Sequence, residues 1–288
     1  MSGYLDGRAN LAGKVAAVIG GGGGIGAGVS LALARAGVDL AICDIDTDAQ
    51  AATTAEIAAL GRKVSAHVAD ATDIDALDGF YDIVRDGFPR LDILVNVAGG
   101  TRRQPLIEAS RADIARDIHR NYGYVVQSVQ RAIPLIQRSG EGGSIVNFTT
   151  IEAHRGAATF SVYSGAKAAT ANFSRCMAVE LGKDRIRVNA AAMPPEFAES
   201  FAWLPLQAQM QGMRMYIPRG EPPPVAALAD AVLFLASDLS AFVSGMTLHV
   251  DGGTMAAAGF LDWPFGDGFV PVPLAGSLAR MYRKDDPQ

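Results

Sequence analysis

Short apolar runs rich in Val, Ile and Leu recur along the first 190 residues, each followed by a longer stretch of helical character. The runs are KVAAVI (14–19), VDLAIC (38–43), KVSAHV (63–68), LDILVN (91–96), GSIVNF (143–148) and IRVNAA (186–191). Amphipathic stretches at 47–60, 73–88 and 111–137 lie between them. Strands without clean polar alternation are buried on both faces, and strands that alternate with helices build parallel βαβ units. A last run, MTLHV (246–250), follows the helix-like VAALADAVLFLAS (225–237). The pattern predicts an α/β chain: a doubly wound parallel sheet of about seven strands with helices on both faces. No repeat or low-complexity linker divides it, so one domain is expected over 1–288, with its core at 12–253. Residues 193–224, rich in Met, Pro and Gln, read as a lid, and the Gly/Pro-broken aromatic stretch 254–288 as a C-terminal arm.

The first run ends in VIGGGGGIGAG and leads into VSLALARAG. Glycines between a strand and a helix let backbone N–H groups approach a pyrophosphate at the positive end of the helix, as in Rossmann-like folds. The run is too uniform to fix its register. Both Gly21-x-Gly23-x-x-Gly26 and Gly20-x-x-x-Gly24-x-Gly26 fit dinucleotide templates. Asp44 closes the second strand, where a carboxylate accepts hydrogen bonds from ribose hydroxyls and repels a 2′-phosphate. Gly23, Ile45 and Asp46 offer no cation to hold such a phosphate, so the expected cofactor is NAD rather than NADP.

In TTIEAHRGAATFSVYSGAK (149–167) a tyrosine stands four residues before a lysine. In a helix, Tyr163 and Lys167 share one face. An ammonium there favours the phenolate, lowering a pKa that starts near about 10, and makes the phenol a usable acid/base.

Taken in order, these motifs resemble the short-chain dehydrogenase/reductase family from Lys14 to Gly253. Gly20, Gly24 and Gly26 are spaced like its cofactor loop. ADATD (69–73) is similar to its adenine-pocket segment, LVNVAG (94–99) to its Asn-Ala-Gly motif, and SDLSAFVSGMTLHVDGG (237–253) to its final strand. The resemblance implies a catalytic set of Asn121, Thr150, Tyr163 and Lys167, with Thr149 as the alternative to Thr150. It implies cofactor contacts at Gly20, Gly23, Gly24, Ile25, Gly26, Asp44, Asp70, Ala71, Asn96, Ala98, Gly99, Tyr163, Lys167 and Pro194. In that scheme Tyr163 takes the alcohol proton and Lys167 lowers its pKa and holds the nicotinamide ribose. Thr150 fixes the substrate oxygen, and Asn121 holds a relay water. The resemblance also implies a homotetramer, or a dimer. Several positions depart from the pattern: Ile19, Val97, Tyr124 and Pro195 replace the usual threonine, asparagine, glycine and glycine. The nicotinamide-holding threonine falls on Glu199 or Ser200.

Composition narrows the partners. A net charge of −5 argues against nucleic acid and anionic membrane. No apolar run reaches the roughly 18–20 residues that span a bilayer. Two cysteines, Cys43 and Cys176, suit a reducing compartment, and the start MSGYLDGRANLAGK lacks signal-peptide character, so a cytoplasmic location is expected. Four scattered histidines predict no metal site. The substrate is expected to be a small alcohol or ketone. The apolar residues of the lid (Phe197, Phe201, Trp203, Leu204, Leu206, Met210, Met213, Met215, Tyr216) favour a bulky alicyclic or steroid-like molecule. Arg102 and Arg103 leave a 3-oxoacyl thioester open, the DGGTMAAAGFL tail a cis-dihydrodiol, and the departures an inactive cofactor-binding relative.

Overall fold

The computed structural model describes residues 3–193, 205–262 and 269–271. The first strands and helices run α1 (Tyr4–Ala9), β1 (Val15–Ile19), α2 (Gly24–Arg35), β2 (Asp39–Asp44), α3 (Thr47–Ala59), β3 (Val64–Val68), α4 (Ile74–Gly87) and β4 (Ile93–Asn96). They continue with α5 (Arg111–Ile118), α6 (Tyr124–Gln137), β5 (Gly143–Thr150), α7 (Ser161–Glu180) and β6 (Ile186–Met193). Then follow α8 (Leu206–Tyr216), α9 (Val225–Ala236), β7 (Thr247–His249), α10 (Thr254–Ala257) and a hairpin of β8 (Phe260–Asp262) and β9 (Phe269–Pro271).

The seven expected strands form one sheet in the order β3-β2-β1-β4-β5-β6-β7, every pair parallel. The order reverses between β1 and β4, and the crevice beyond the strand ends at such a switch point is where open α/β sheets bind ligands. All five residues of β1 and all four of β4 are buried, which explains runs with no polar alternation. On one face, Leu77 and Phe80 of α4 and Val125 and Val129 of α6 pack with Phe173 of α7. On the other, Val29 and Leu33 of α2, Ile57 of α3 and Leu228 and Val232 of α9 form the second layer. Helix starts follow local chemistry: the Asp46 carboxylate caps α3 by accepting from the Asp48 and Ala49 N–H groups, and Ser110 and Asp113 cap α5 reciprocally.

Three expectations shift. β5 runs two residues past the apolar run, because Thr149 and Thr150 stay paired with Ala192 and Met193 of β6. The single helix expected at 111–137 is broken by a π-helical turn at His119–Gly123. That turn needs glycine: a Cβ at Gly123 would stand 2.3 Å from the His119 Nδ1. The lid contains a helix, α8, and the described part of the arm is a short helix and hairpin whose β8 packs against that α8 of the same chain. Pro194, Pro195, Phe197, Glu199, Ser200, Phe201, Trp203 and Leu204 lie outside the described residues.

A buried chain of hydrogen bonds crosses the layers. Tyr81 of α4 meets Ser128 of α6 (2.7 Å), and Ser128 donates to the Asn96 Oδ1 on β4 (2.7 Å). The Asn96 amide donates to the Asn147 Oδ1 on β5 (2.8 Å), and the Asn147 amide to Ser174 of α7 (2.9 Å). The Thr170 hydroxyl, one turn before Ser174, donates to the Asn121 carbonyl in the π turn (2.8 Å). Asn147→Ala takes the acceptor from the Asn96 amide and the amide donor from the Ser174 hydroxyl in a dry site. It is expected to cost about 1–3 kcal/mol by chemical denaturation. Asn172→Ala, on the exposed side of α7, is expected to stay within about 0.5 kcal/mol.

Candidate active site

The turn after β1 settles the glycine register. Gly20 and Gly24 adopt φ of +79° and +49°, which favours glycine. A Cβ at Gly26 would lie 1.6 Å from the Gly20 carbonyl oxygen. Gly23 is extended at φ −130°, so the Gly20, Gly24, Gly26 spacing is the one the backbone uses. A Cβ at Gly20 would lie 2.7 Å from the Ala98 nitrogen, so the turns after β1 and β4 touch across the switch point. The outer side is open: a Cβ at Gly24 meets nothing within 4 Å. Asp44 reaches back to this turn. Its Oδ2 accepts from the Gly22 N–H (2.8 Å) and its Oδ1 from the Asp46 N–H (3.1 Å). Thr53 of α3 donates to the Gly22 carbonyl (2.8 Å), so the loop is pinned on both sides. Asp44 joins no ion pair among the described residues. Ala71 packs on the core below, while Asp70 stays exposed and accepts from Thr72.

Beyond β4 the chain turns through Gly99 (φ +153°) and Gly100 (φ +127°). A Cβ at Gly99 would stand 2.9 Å from the Asn121 Oδ1 and 3.0 Å from the Lys167 Nζ. The missing side chain at Gly99 is therefore what brings two of the expected catalytic groups to one point. The fully buried Asn121 side chain accepts from the Gly100 N–H (3.0 Å) and donates to the carbonyls of Gly100 (3.0 Å) and Asp117 (2.9 Å). Asn96, expected among the cofactor contacts, has its amide buried in the chain described above. Only its backbone faces the crevice loop, through Val97 and Ala98, whose N–H groups donate to the Ile19 carbonyl.

Tyr163 and Lys167 both lie on α7, four residues apart. Lys167 is 3% exposed, and its ammonium donates to the Phe148 carbonyl (3.0 Å) on β5. Burial lowers its pKa to about 8. The Phe160 ring lies 6.0 Å from the Tyr163 ring, and the Arg103 guanidinium sits over the other aromatic, 5.2 Å from the Phe160 centroid. Arg102 lines the same cleft as Tyr163, Thr101 and Asp117.

Thr150 ends β5 at 1% exposure, and its hydroxyl donates to the Glu152 Oε2 (2.5 Å). The Thr149 hydroxyl instead faces the Ala191 carbonyl inside the sheet (3.5 Å), which leaves Thr150 as the hydroxyl at the strand's end. Sequence reasoning did not foresee what Tyr124 holds here. Tyr124, noted only as a departure, is buried and donates to the Ala98 carbonyl (2.6 Å), holding the Asn-Val-Ala-Gly turn; burial pushes its phenol well above the usual range. Glu152, 4% exposed, accepts from the Thr150 hydroxyl; in the sequence it stands out, with His154 and Arg155, as unusually polar for a residue that could line the pocket.

A family model described as enoyl-(acyl carrier protein) reductase matches residues 20–255. The (2S)-[(R)-hydroxy(phenyl)methyl]succinyl-CoA dehydrogenase subunit BbsD of Thauera aromatica is 36% identical over 217 residues, 75% of this chain and 86% of that protein. Carveol dehydrogenase from Mycobacterium avium, solved in complex with NAD, is similar at a TM-score of 0.79 and 28% identity, over 86% of this chain and 99% of that one. A 7α-hydroxysteroid dehydrogenase complexed with NADH and 7-oxo glycochenodeoxycholic acid gives 0.81 and 30%, over 88% and 98%. No helix among the described residues is long and apolar enough to cross a membrane. A match over most of its length, joined to the sheet order and the glycine turn, makes this chain a member of the short-chain dehydrogenase/reductase family and an oxidoreductase of that type.

Proposed function

We propose that the protein is an NAD(H)-dependent enzyme that interconverts a secondary alcohol and a ketone, on a bulky alicyclic or steroid-like substrate. The observation that carries the reading is the convergence of Lys167, Asn121 and Gly99 on one point, with Tyr163 one helical turn from the lysine on α7. The residues present fit a dinucleotide. The open face at Gly24 leaves room a Cβ would fill, and Asp44 at the end of β2 supplies an acceptor for ribose hydroxyls with no cation to hold a 2′-phosphate. When bound, the nicotinamide supplies the hydride acceptor or donor.

The protein's own part is positional and protonic. Tyr163 as phenolate takes the alcohol proton, and as phenol returns it to a ketone. The buried Lys167 ammonium favours the phenolate. Thr150 gives its hydroxyl to the substrate oxygen. Asn121, fixed by Gly100, holds the water through which the proton reaches solvent. The alicyclic preference rests on the similarity to carveol and hydroxysteroid dehydrogenases. Arg102 in the Tyr163 cleft, with the similarity to a [hydroxy(phenyl)methyl]succinyl-CoA dehydrogenase subunit, favours a CoA thioester as the second reading. A screen of alicyclic alcohols, steroids and hydroxyacyl-CoA esters for NADH formation separates the two. No turnover on any alcohol overturns the reading as an enzyme of this class.

NAD is expected to bind more tightly than NADP by fluorescence titration. Asp44→Ala is expected to narrow that preference roughly tenfold, by removing the repulsion of the 2′-phosphate. Equal binding of both by the wild type would show that Asp44 does not select.

Tyr163→Phe is expected to lower kcat by about 10²–10⁴-fold with NAD affinity kept within a few-fold, the signature of a lost acid/base. Near-wild-type kcat would exclude the mechanism. Thr150→Ser is expected to keep activity and Thr150→Val to lose most of it.

The pH dependence of stability follows from Lys167. Its folded-state pKa, about 8, lies below the ordinary 10.5, so the buried charge opposes folding fully below pH 8. This cost fades as pH rises towards 10.5, where both states lose the proton. Relative to Lys167→Met, the wild type is therefore expected to gain up to roughly 3 kcal/mol between pH 7 and the top of that window, read by urea denaturation.

A further inference from the structure

The Thr150 hydroxyl has one proton and two claimants. On the proposed mechanism it belongs to the substrate oxygen. In this structure it belongs to Glu152, whose Oε2 accepts it at 2.5 Å, while the Glu152 N–H approaches the Thr150 oxygen at 3.4 Å. The carboxylate is 4% exposed, so it cannot lose a hydrogen bond to bulk water without a substitute. A substitute stands next to it. Arg155 donates from Nη2 to the Glu152 Oε1 (2.8 Å), and its Nε is buried without a hydrogen-bond partner. A guanidinium offers Nε and Nη2 as a planar fork matched to the two oxygens of a carboxylate. The Arg155 fork is half engaged. The Arg155 guanidinium also lies over the Tyr216 ring on α8, 5.1 Å from its centroid.

We infer that Glu152 and Arg155 are positioning residues that park the Thr150 hydroxyl and release it by partner exchange. Arg155 Nε takes the Glu152 oxygen that Thr150 gives up when the hydroxyl turns to the substrate. No covalent bond or proton transfer is involved: the threonine keeps its proton, the carboxylate keeps two donors, and the orphaned Nε gains an acceptor. The catalytic half of the inference rests on Thr150 touching the substrate oxygen as proposed above; the exchange itself does not.

The exchange is readable without a substrate. In Thr150→Val the hydroxyl is gone and Arg155 is expected to close its fork. The Arg155 Nε–H NMR signal should then shift downfield and exchange with water at least several-fold more slowly than in wild type. An unchanged Nε–H signal and exchange rate overturns the inference, whatever the activity screen shows.

The activity arm uses whichever alcohol in the screen gives NADH. Arg155→Lys keeps the charge and loses the fork, so Glu152 should retain the hydroxyl and kcat/KM should fall roughly tenfold or more. Glu152→Gln is a weaker acceptor for the hydroxyl, so the double variant Glu152→Gln/Arg155→Lys should recover most of that loss. A merely structural pair would give a double variant worse than either single one. That result, or an undiminished Arg155→Lys, overturns the inference. If no alcohol is turned over, the proposed activity fails while the NMR arm still decides the exchange.

Discussion

The site depends on one line of buried hydrogen bonds that joins β4 and β5 to the helix layer of α4, α6 and α7. From Tyr81 through Ser128, Asn96 and Asn147 to Ser174, five secondary-structure elements, two strands and the three helices of one layer, are tied by side chains that are 5% exposed or less. In so dry an interior an unpaired amide is costly, so each member fixes the next. The line sets the height of β4 against β5 and of α7 against both. Those heights place the Phe148 carbonyl where Lys167 can use it and Gly99 where Lys167 and Asn121 come together.

Close backbone approach is the second constraint. The turn after β1 and the turn after β4 meet with no space for a side chain at Gly20, and Gly26 lets the first turn of α2 rest on the Gly20 carbonyl. Ile19, which replaces the family's threonine, sends its carbonyl to both Val97 and Ala98, and Tyr124 reaches in to hold the Ala98 carbonyl. Of the departures, Tyr124 supplies a side-chain bond of its own to this turn, beside main-chain bonds that do not depend on the side chains at 19 and 97. The departures from the motif read as an alternative way of holding the same turn.

Charge is handled sparingly around the reaction centre. The lysine is buried with a carbonyl as its partner, which leaves its ammonium poorly solvated and lowers its pKa. The buried carboxylate two residues after Thr150, Glu152, is paired with Arg155 and accepts from the Thr150 hydroxyl. Asp44 is satisfied by two backbone N–H groups and lies at the crevice rim. Lys167 and Asp44 have their partners arranged before any ligand arrives, the condition for electrostatic work without reorganisation, whereas the Arg155 Nε has none.

The amino-acid sequence alone determined the class of fold and put forward the candidate site groups. Seven apolar runs gave seven strands because runs buried on both faces have little other use, and helices between them forced parallel connections. Tyr163 and Lys167 were legible because helical periodicity is local, and Asp44 because it ends a strand. What only the tertiary structure decided was everything that depends on residues far apart in sequence. The register of the glycine run came from the positive φ of Gly20 and Gly24 and the close approach of Gly26 to the Gly20 carbonyl, and the turning of the Thr149 hydroxyl to the Ala191 carbonyl from the fit of β5 against β6. The break in the helix at Asn121 came from His119 packing against Gly123 and from the reach of Thr170. The partnership of Thr150, Glu152, Arg155 and Tyr216 was invisible for the same reason. Propensity and spacing describe a segment, whereas a buried polar group finds its partner only when the layers close and exclude water.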